Sequence, residues 1–347
     1  MKINFILPGL GDSGGIRVVE KYLKLLSEHG HDVYIYSSIR NNNLHRYDSV
    51  LKNKIHQWYC TIKTLILVYK KKKLHYKWVW KIDDRNVRDA DVVIATMWAT
   101  AYDVTKLSLR CGEKYYFIQD YEVWDNKILG ENSYKLPLNK IVISTWINKQ
   151  LKKDIGIGPF PIVYNGIDKK YICNKKLQKN NNSIICLMLN HTLEKKGVEV
   201  GLKAYYLARN KYKNIRLIMF GMCDNSNLPK DIEYYRNPEL DTLLELYRKA
   251  DIFIFPSLDE GWGLTPIEAM ANKCALVASN TGFVLDIGDN NKNMMISRPG
   301  DFETMAYNIV ELAKNKGKRD EIAEKGYKCV LNMNWNKSVE ALEKLIK

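Results

Sequence analysis

The stretch Phe255-Pro256-Ser257-Leu258-Asp259-Glu260-Gly261-Trp262-Gly263-Leu264-Thr265-Pro266-Ile267-Glu268-Ala269-Met270 decides how this chain is read. A short apolar run ends at Pro256, a glycine-rich turn follows, and an apolar helical pattern opens at once. Two glutamates, Glu260 and Glu268, stand on either side of that turn. Gly261 and Gly263 let the backbone approach a ligand closely. The free N–H groups of Leu264 to Ile267 leave the helix start electropositive, and Pro266 suits its first turn. A diphosphate would sit well there. Thr265-Pro266-Ile267-Glu268 also spells a capping box, with Thr265 as cap and Glu268 reaching back. That reading accounts for Glu268 but leaves Glu260, the two glycines and Trp262 unexplained.

Working outward, short apolar runs alternate with helix-period stretches. In the second half, strands are expected at 184–189, 215–220, 232–235, 251–256, 275–279 and 294–296. Helices are expected at 196–210, 238–249, 266–272, 302–315, 318–331 and 336–346. The first half opens with a strand at 2–7, a glycine-rich loop at 9–15, a helix at 16–29 and a strand at 32–36, which is a βαβ unit and predicts a parallel sheet. Further strands are expected at 91–96, 114–119 and 140–144, with 40–90 a basic insertion of helix and loop. The chain turns near Tyr164-Asn165-Gly166-Ile167-Asp168 and then becomes asparagine-rich, as at a domain boundary. The expected division is an N-terminal α/β domain over 1–164, a C-terminal one over 165–330 and a closing helix over 331–347.

Composition agrees with two domains. The chain has 347 residues, 46% of them hydrophobic, enough for two cores. Its seven cysteines include no C-x-x-C pair, which argues against a disulfide framework or a zinc site and for a cytoplasmic setting. Pro8 and Gly9 stop the opening apolar run, so no secretory signal is read, and no stretch reaches the ~20 apolar residues of a membrane span. The net charge is +15, of which residues 40–90 hold +9, from thirteen Lys/Arg against four Asp/Glu. Within this region, 61–82 interleaves Leu65, Ile66, Leu67, Trp78 and Trp80 with lysines, a composition suited to an anionic bilayer surface on the inner face of the plasma membrane. No nucleic-acid recognition motif accompanies the charge.

The Glu260–Glu268 segment resembles the E-x7-E motif of family-4 retaining glycosyltransferases of the GT-B fold. Other motifs recur in the same order: Pro8 to Arg17, the helix end Glu28-His29-Gly30-His31-Asp32-Val33, the Tyr164–Asp168 turn, and Lys196-Gly197 before a helix. Tyr116-Phe117-Ile118-Gln119-Asp120-Tyr121-Glu122 is similar to a segment in members that build bacterial polysaccharides, rhamnosyltransferases among them. The resemblance implies two Rossmann-like domains facing across a cleft, with the last helix crossing back to the N-terminal domain.

It also implies roles. Glu268 would bind the ribose hydroxyls of a nucleoside-diphosphate sugar, Glu260 would contact the transferred sugar near the reacting carbon, and Lys196 would hold the diphosphate. Gly263, Leu264 and Thr265 would line the donor, with Gly14 and Gly15 approaching it from the first loop. Asp120, Tyr121 and Glu122 would lie on the side of a glycan or lipid-linked acceptor. The implied reaction retains anomeric configuration, the leaving phosphate accepting the acceptor's proton. No cofactor and no metal are implied; Asp89-Ala90-Asp91 spells D-x-D but falls at a helix–strand junction.

His191 departs from the pattern, because related enzymes usually carry arginine there. A guanidinium is permanently charged and forks onto phosphate, whereas imidazole is only partly charged near neutrality. Either His191 works protonated, or Arg298 or Arg17 substitutes. The same departure favours the alternative of a catalytically inactive, nucleotide-binding relative. A glycoside hydrolase using the paired carboxylates would leave the glycine-rich loops without a purpose.

Overall fold

The computed structural model describes residues 1–9, 13–38, 58–59, 62, 75–123, 126–173, 175–177, 183–226 and 228–347. Its inner strands, such as β4, β7, β10 and β11, are short runs of apolar residues, as expected where both faces of a parallel sheet are covered. In chain order the N-terminal part contains β1 (Lys2–Leu7), α1 (Gly14–Glu28), β2 (Asp32–Ser38), β3 (Tyr76–Val79), β4 (Val92–Ala95), α2 (Trp98–Lys106), β5 (Glu113–Ile118), α3 (Lys127–Ser133), β6 (Asn139–Val142) and α4 (Thr145–Gln150). The C-terminal part contains β7 (Ile184–Leu189), α5 (Val198–Lys211), β8 (Ile215–Gly221), β9 (Glu233–Arg236), α6 (Leu240–Lys249), β10 (Ile252–Phe255), α7 (Leu264–Met270), β11 (Ala275–Ser279), α8 (Val284–Ile287), β12 (Met295–Ser297), α9 (Phe302–Lys314), α10 (Lys316–Leu331) and α11 (Trp335–Leu345).

The strands form two six-stranded sheets, β3-β2-β1-β4-β5-β6 and β9-β8-β7-β10-β11-β12, parallel throughout. Counted within each half, both have the order 3-2-1-4-5-6 of a doubly wound sheet. The crossovers reverse direction between the first and fourth strands, where ligands bind in such folds. In the C-terminal sheet Cys186, Met188, Ile252, Ile254 and Val277 pack with Ala204 of α5 and Met305 and Ile309 of α9 to form the core.

The chain divides into two compact units. One comprises Met1–Ile143, Ile147–Val163 and Ser338–Lys347; the other comprises Ser144–Trp146 and Tyr164–Lys337. The last turns of α11 therefore belong to the N-terminal unit. There Glu343 Oε1 meets His29 Nδ1 at 3.0 Å and His31 Nε2 at 2.9 Å, and the Leu345 carbonyl accepts from the Tyr115 hydroxyl at 3.0 Å. Burial pushes the Glu343 carboxyl up, but the bonds from His31 and His29 outweigh it and hold the group below the usual glutamate range.

Several expectations are corrected. Residues 76–79 form an edge strand, not basic helix or loop; Lys77 there stays exposed, as suits a sheet edge. Most of the rest of the basic insertion lies outside the described residues, including 63–74 of the bilayer segment. Helix α1 starts at Gly14, with the Ser13 hydroxyl accepting from Ile16 N, so Gly14 and Gly15 are its first turn and not loop. Among the described residues no helix is long and apolar enough to cross a membrane.

Candidate active site

The first and fourth strands of the C-terminal sheet, β7 and β10, send out two loops that are fastened to each other. The loop after β7 carries His191, makes a 3-10 turn over Glu194–Lys196 and ends at Gly197, where φ is +64°. Only glycine fits, because a Cβ would also collide with the Pro256 carbonyl oxygen at the end of β10. The Lys195 carbonyl accepts from Leu258 N at 2.7 Å and Asp259 N at 3.3 Å. With the loops so joined, Lys196 Nζ lies 2.6 Å from Glu260 Oε2, their side chains 20% and 12% exposed. The Ser257 hydroxyl donates to the same oxygen at 3.4 Å. Lys196 precedes α5 and does not sit in it, contrary to the expected helix at 196–210.

The turn beyond Glu260 is held from several directions. Gly261 O accepts from the Ser144 hydroxyl at 2.7 Å, and Trp262 O accepts from Phe283 N at 2.9 Å. Buried Trp262 stacks on Tyr164, with ring centroids 5.5 Å apart. Asp286 gathers the Tyr164 hydroxyl at 3.0 Å together with the Thr145 backbone and hydroxyl. Thr145 and Tyr164 stand where the chain passes between units.

The capping box is not formed. Helix α7 starts at Leu264, its N-cap is Gly263 at φ 101°, and no side chain caps it. A left-handed residue is open to glycine at little cost, so the helix begins before Thr265 can serve as cap. The Glu268 carboxylate is thereby released from that role and accepts from the Tyr247 hydroxyl at 2.9 Å. Tyr247 is fully buried; burial, and then the Glu268 charge, push its phenol well above the usual range, so it remains a donor. Asn272 Nδ2 bonds the Glu268 and Tyr171 carbonyls at 2.9 and 2.7 Å.

His191 is neutral by geometry and by surroundings. Its Nδ1 accepts from Leu193 N at 3.0 Å, which leaves a proton for Nε2 alone. Burial and then the Lys196 charge push its pKa down, against a smaller pull from Glu260. The ring thus offers one N–H where a guanidinium would offer a fork. Of the two candidates for substitution, Arg298 is exposed beyond β12, three strands from β7, and Arg17 is an exposed residue of α1.

In the N-terminal unit, the Gln119 side chain stands 3.5 Å from the place a Gly15 Cβ would take. Asp120 Oδ1 accepts from Tyr121 N at 2.9 Å. Glu122 is buried, and its Oε2 accepts from Trp98 N at 2.6 Å and the Tyr116 hydroxyl at 3.2 Å, while its own N–H donates to the Tyr134 hydroxyl at 2.6 Å. That carboxylate supports the start of α2. The D-x-D residues serve the fold as well: Asp91 accepts from Lys2 N at 2.6 Å and Asp89 pairs with Arg110. Among the described residues no cluster of three or more His, Cys, Asp or Glu side chains could hold a metal ion.

Tyr247 and Asp286 belong to none of the motifs read in the sequence, and Tyr164 entered there only as part of the 164–168 turn. Each lies far along the chain from the residue it supports, and only the order of the sheet brings them together.

Residues 172–329 match the family model described as glycosyl transferases group 1. The capsular polysaccharide biosynthesis glycosyltransferase CapM of Staphylococcus aureus is 24% identical over 210 residues, 56% of this chain and 54% of CapM; the match thus spans about half that relative's length. Among solved structures, HepE of Anabaena in complex with UDP superposes with a TM-score of 0.75 at 13% identity, over 99% of each chain; HepE was also solved with UDP-glucose. WaaG, a glycosyltransferase involved in lipopolysaccharide biosynthesis, superposes with a TM-score of 0.70 at 12% identity, over 99% of each chain.

Proposed function

We propose that the protein is a retaining, nucleotide-sugar-dependent glycosyltransferase of family 4 acting in cell-surface polysaccharide assembly, a reading supported by the match of residues 172–329 to the group 1 glycosyltransferase model and by the two parallel sheets of the GT-B fold. It moves a hexose or deoxyhexose, rhamnose among the candidates, to a glycan or lipid-linked acceptor. The observation that carries the reading is the loop pair after β7 and β10, with Lys196 against Glu260 beside a helix start that no side chain caps.

Cleaving a sugar–phosphate bond puts negative charge on the leaving diphosphate and positive character on the sugar ring. Lys196 stands ready to exchange its carboxylate partner for phosphate oxygens, and the Gly263–Thr265 main chain adds donors aimed at the same charge. Glu260, its ammonium partner turned toward phosphate, faces the electron-poor ring carbon as an orienting and electrostatic group. Glu268 accepts the ribose hydroxyls, its carboxylate steered by Tyr247. No step requires a dedicated protein base, since the departing phosphate accepts the acceptor's proton.

The UDP held by HepE makes UDP the first probe. In calorimetry, Glu268→Ala weakens UDP binding, while Glu260→Ala lowers the initial rate of UDP-sugar turnover more than it lowers UDP affinity. If both variants bind and turn over like the unaltered protein, the assignment of the site fails. A second reading, nucleotide binding without turnover, is favoured by the neutral His191; UDP binding with no sugar transferred or hydrolysed would select it.

A further inference from the structure

Three tyrosines of the N-terminal unit lie ring on ring. Tyr116 and Tyr134 are 8° from parallel with centroids 5.8 Å apart, and Tyr134 and Tyr121 are 9° from parallel at 5.7 Å. The first two are fully buried and fixed through their hydroxyls: Tyr116 donates to Glu122, while Tyr134 accepts from Glu122 N and donates to the Asp120 carbonyl at 3.4 Å. The third ring, Tyr121, is only half-buried, so the stack runs from the core to the surface. Among the described residues Tyr134 is its one ring partner. Asp120 Oδ1 holds the Tyr121 backbone N–H, and burial first, then the neighbouring Asp154 carboxylate, push its phenol up.

The position matters as much as the stack. Tyr121 follows the C-terminal end of β5, the edge at which open α/β sheets bind ligands. Asp154 lies in a π-helical turn, Leu151–Ile155, an irregularity frequent at functional sites. Filling a core does not require a flat ring at partial exposure with carboxylates on its own and a neighbouring segment. A pyranose does: one face of the sugar presents C–H bonds that settle on the electron-rich face of an aromatic ring, and its rim of hydroxyls donates to carboxylate oxygens.

We propose that Tyr121 is the aromatic platform for a pyranose ring of the acceptor, with Asp120 and Asp154 taking its hydroxyls. The inference rests on the transferase reading and deepens it, because it commits the acceptor to a sugar at the bound end. Tyr121 itself is a binding residue.

Saturation-transfer NMR on the full chain, with methyl glucoside, galactoside, mannoside and rhamnoside as probes, tests this. The unaltered protein is expected to saturate the ring C–H protons of at least one probe. Tyr121→Phe keeps that signal within about twofold, and Tyr121→Leu, of similar bulk but without a π face, lowers it about fivefold or more. Asp154→Ala, at an exposed site, lowers it about threefold by removing an acceptor for the sugar's hydroxyls, which keeps the test decisive if the leucine variant does not fold. No transfer to any probe, or equal transfer in the unaltered protein and the folded variants, overturns the proposal. Calorimetry with UDP on the same sample separates the two claims: UDP binding without pyranoside contact sinks the platform alone, whereas failure to bind UDP sinks the transferase reading.

Discussion

Strands β4 and β10 hold the same place in two sheets of the same order, each beside the first strand of its unit, yet the helices they lead into begin differently. After β4, the Glu122 carboxylate binds the Trp98 N–H, and Thr100 Oγ1 takes the N–H groups of Thr96 and Met97, both at 3.0 Å. The N-terminal unit thus supplies its own anion at the helix start. After β10, Gly263 begins α7 with no side-chain cap, and the loop before it carries Glu260 paired with Lys196. One topology therefore gives a start closed by an internal carboxylate and another that no side chain caps, preceded by a lysine–glutamate pair. Strand order sets where a ligand can bind; the side chain at the switch point decides which unit offers the place to an anion.

The comparison can be broken in three ways. The largest effect is expected from Lys196→Ala, which removes the ammonium paired with Glu260 and should lower turnover by about 10²–10³-fold; steady-state rates unchanged within twofold would mean that the diphosphate is not bound there. Next is Glu122→Ala. It strands the Trp98 N–H and Tyr116 hydroxyl in a buried setting, so urea unfolding should report a loss of about 2–3 kcal/mol. UDP affinity should be unaltered. A reversed pattern, with stability kept and UDP binding lost, would place the anion in the N-terminal unit instead. The smallest effect concerns His191. Its folded-state pKa lies below the ordinary 6.5, so the ring is neutral at pH 7, and a bound diphosphate favours its protonated form. UDP should bind roughly two- to fivefold tighter as pH falls from 8 to 6. His191→Arg should abolish this contribution and bind tighter at pH 8; calorimetry across that range, with both proteins showing the same slope, would remove His191 from the phosphate's surroundings.

Legibility followed the same divide between local and distant. Strands β7 and β11 have the bounds their apolar runs announce, 184–189 and 275–279, because a strand covered on both faces needs little but side-chain character to declare itself. Strand β3, four residues at an edge with Lys77 exposed, carries no such run. Helices α2, α3 and α4, of nine, seven and six residues, are too short for a helical period to show. In the candidate site, Glu260, Glu268 and Lys196 stand out in the sequence because each belongs to a compact local motif. The capping box misled because it too is local: Thr265 and Glu268 have the right spacing, but the backbone at Gly263 starts the helix earlier. The brace of Tyr247 on Glu268 spans 21 residues and that of Asp286 on Tyr164 spans 122, distances at which no pattern in the chain announces a contact.

The return of α11 has a consequence for biogenesis. Residues 1–143 and 147–163 leave the ribosome well before 338–347, the strip that completes their unit. The C-terminal unit, whose long segment is contiguous, is finished first, although the N-terminal unit is begun first. Until Glu343 arrives at His29 and His31, and Leu345 at Tyr115, the nascent N-terminal sheet keeps one flank unsealed. Residues 338–347 therefore act as the closing stitch of a unit whose other segments are synthesised long before them.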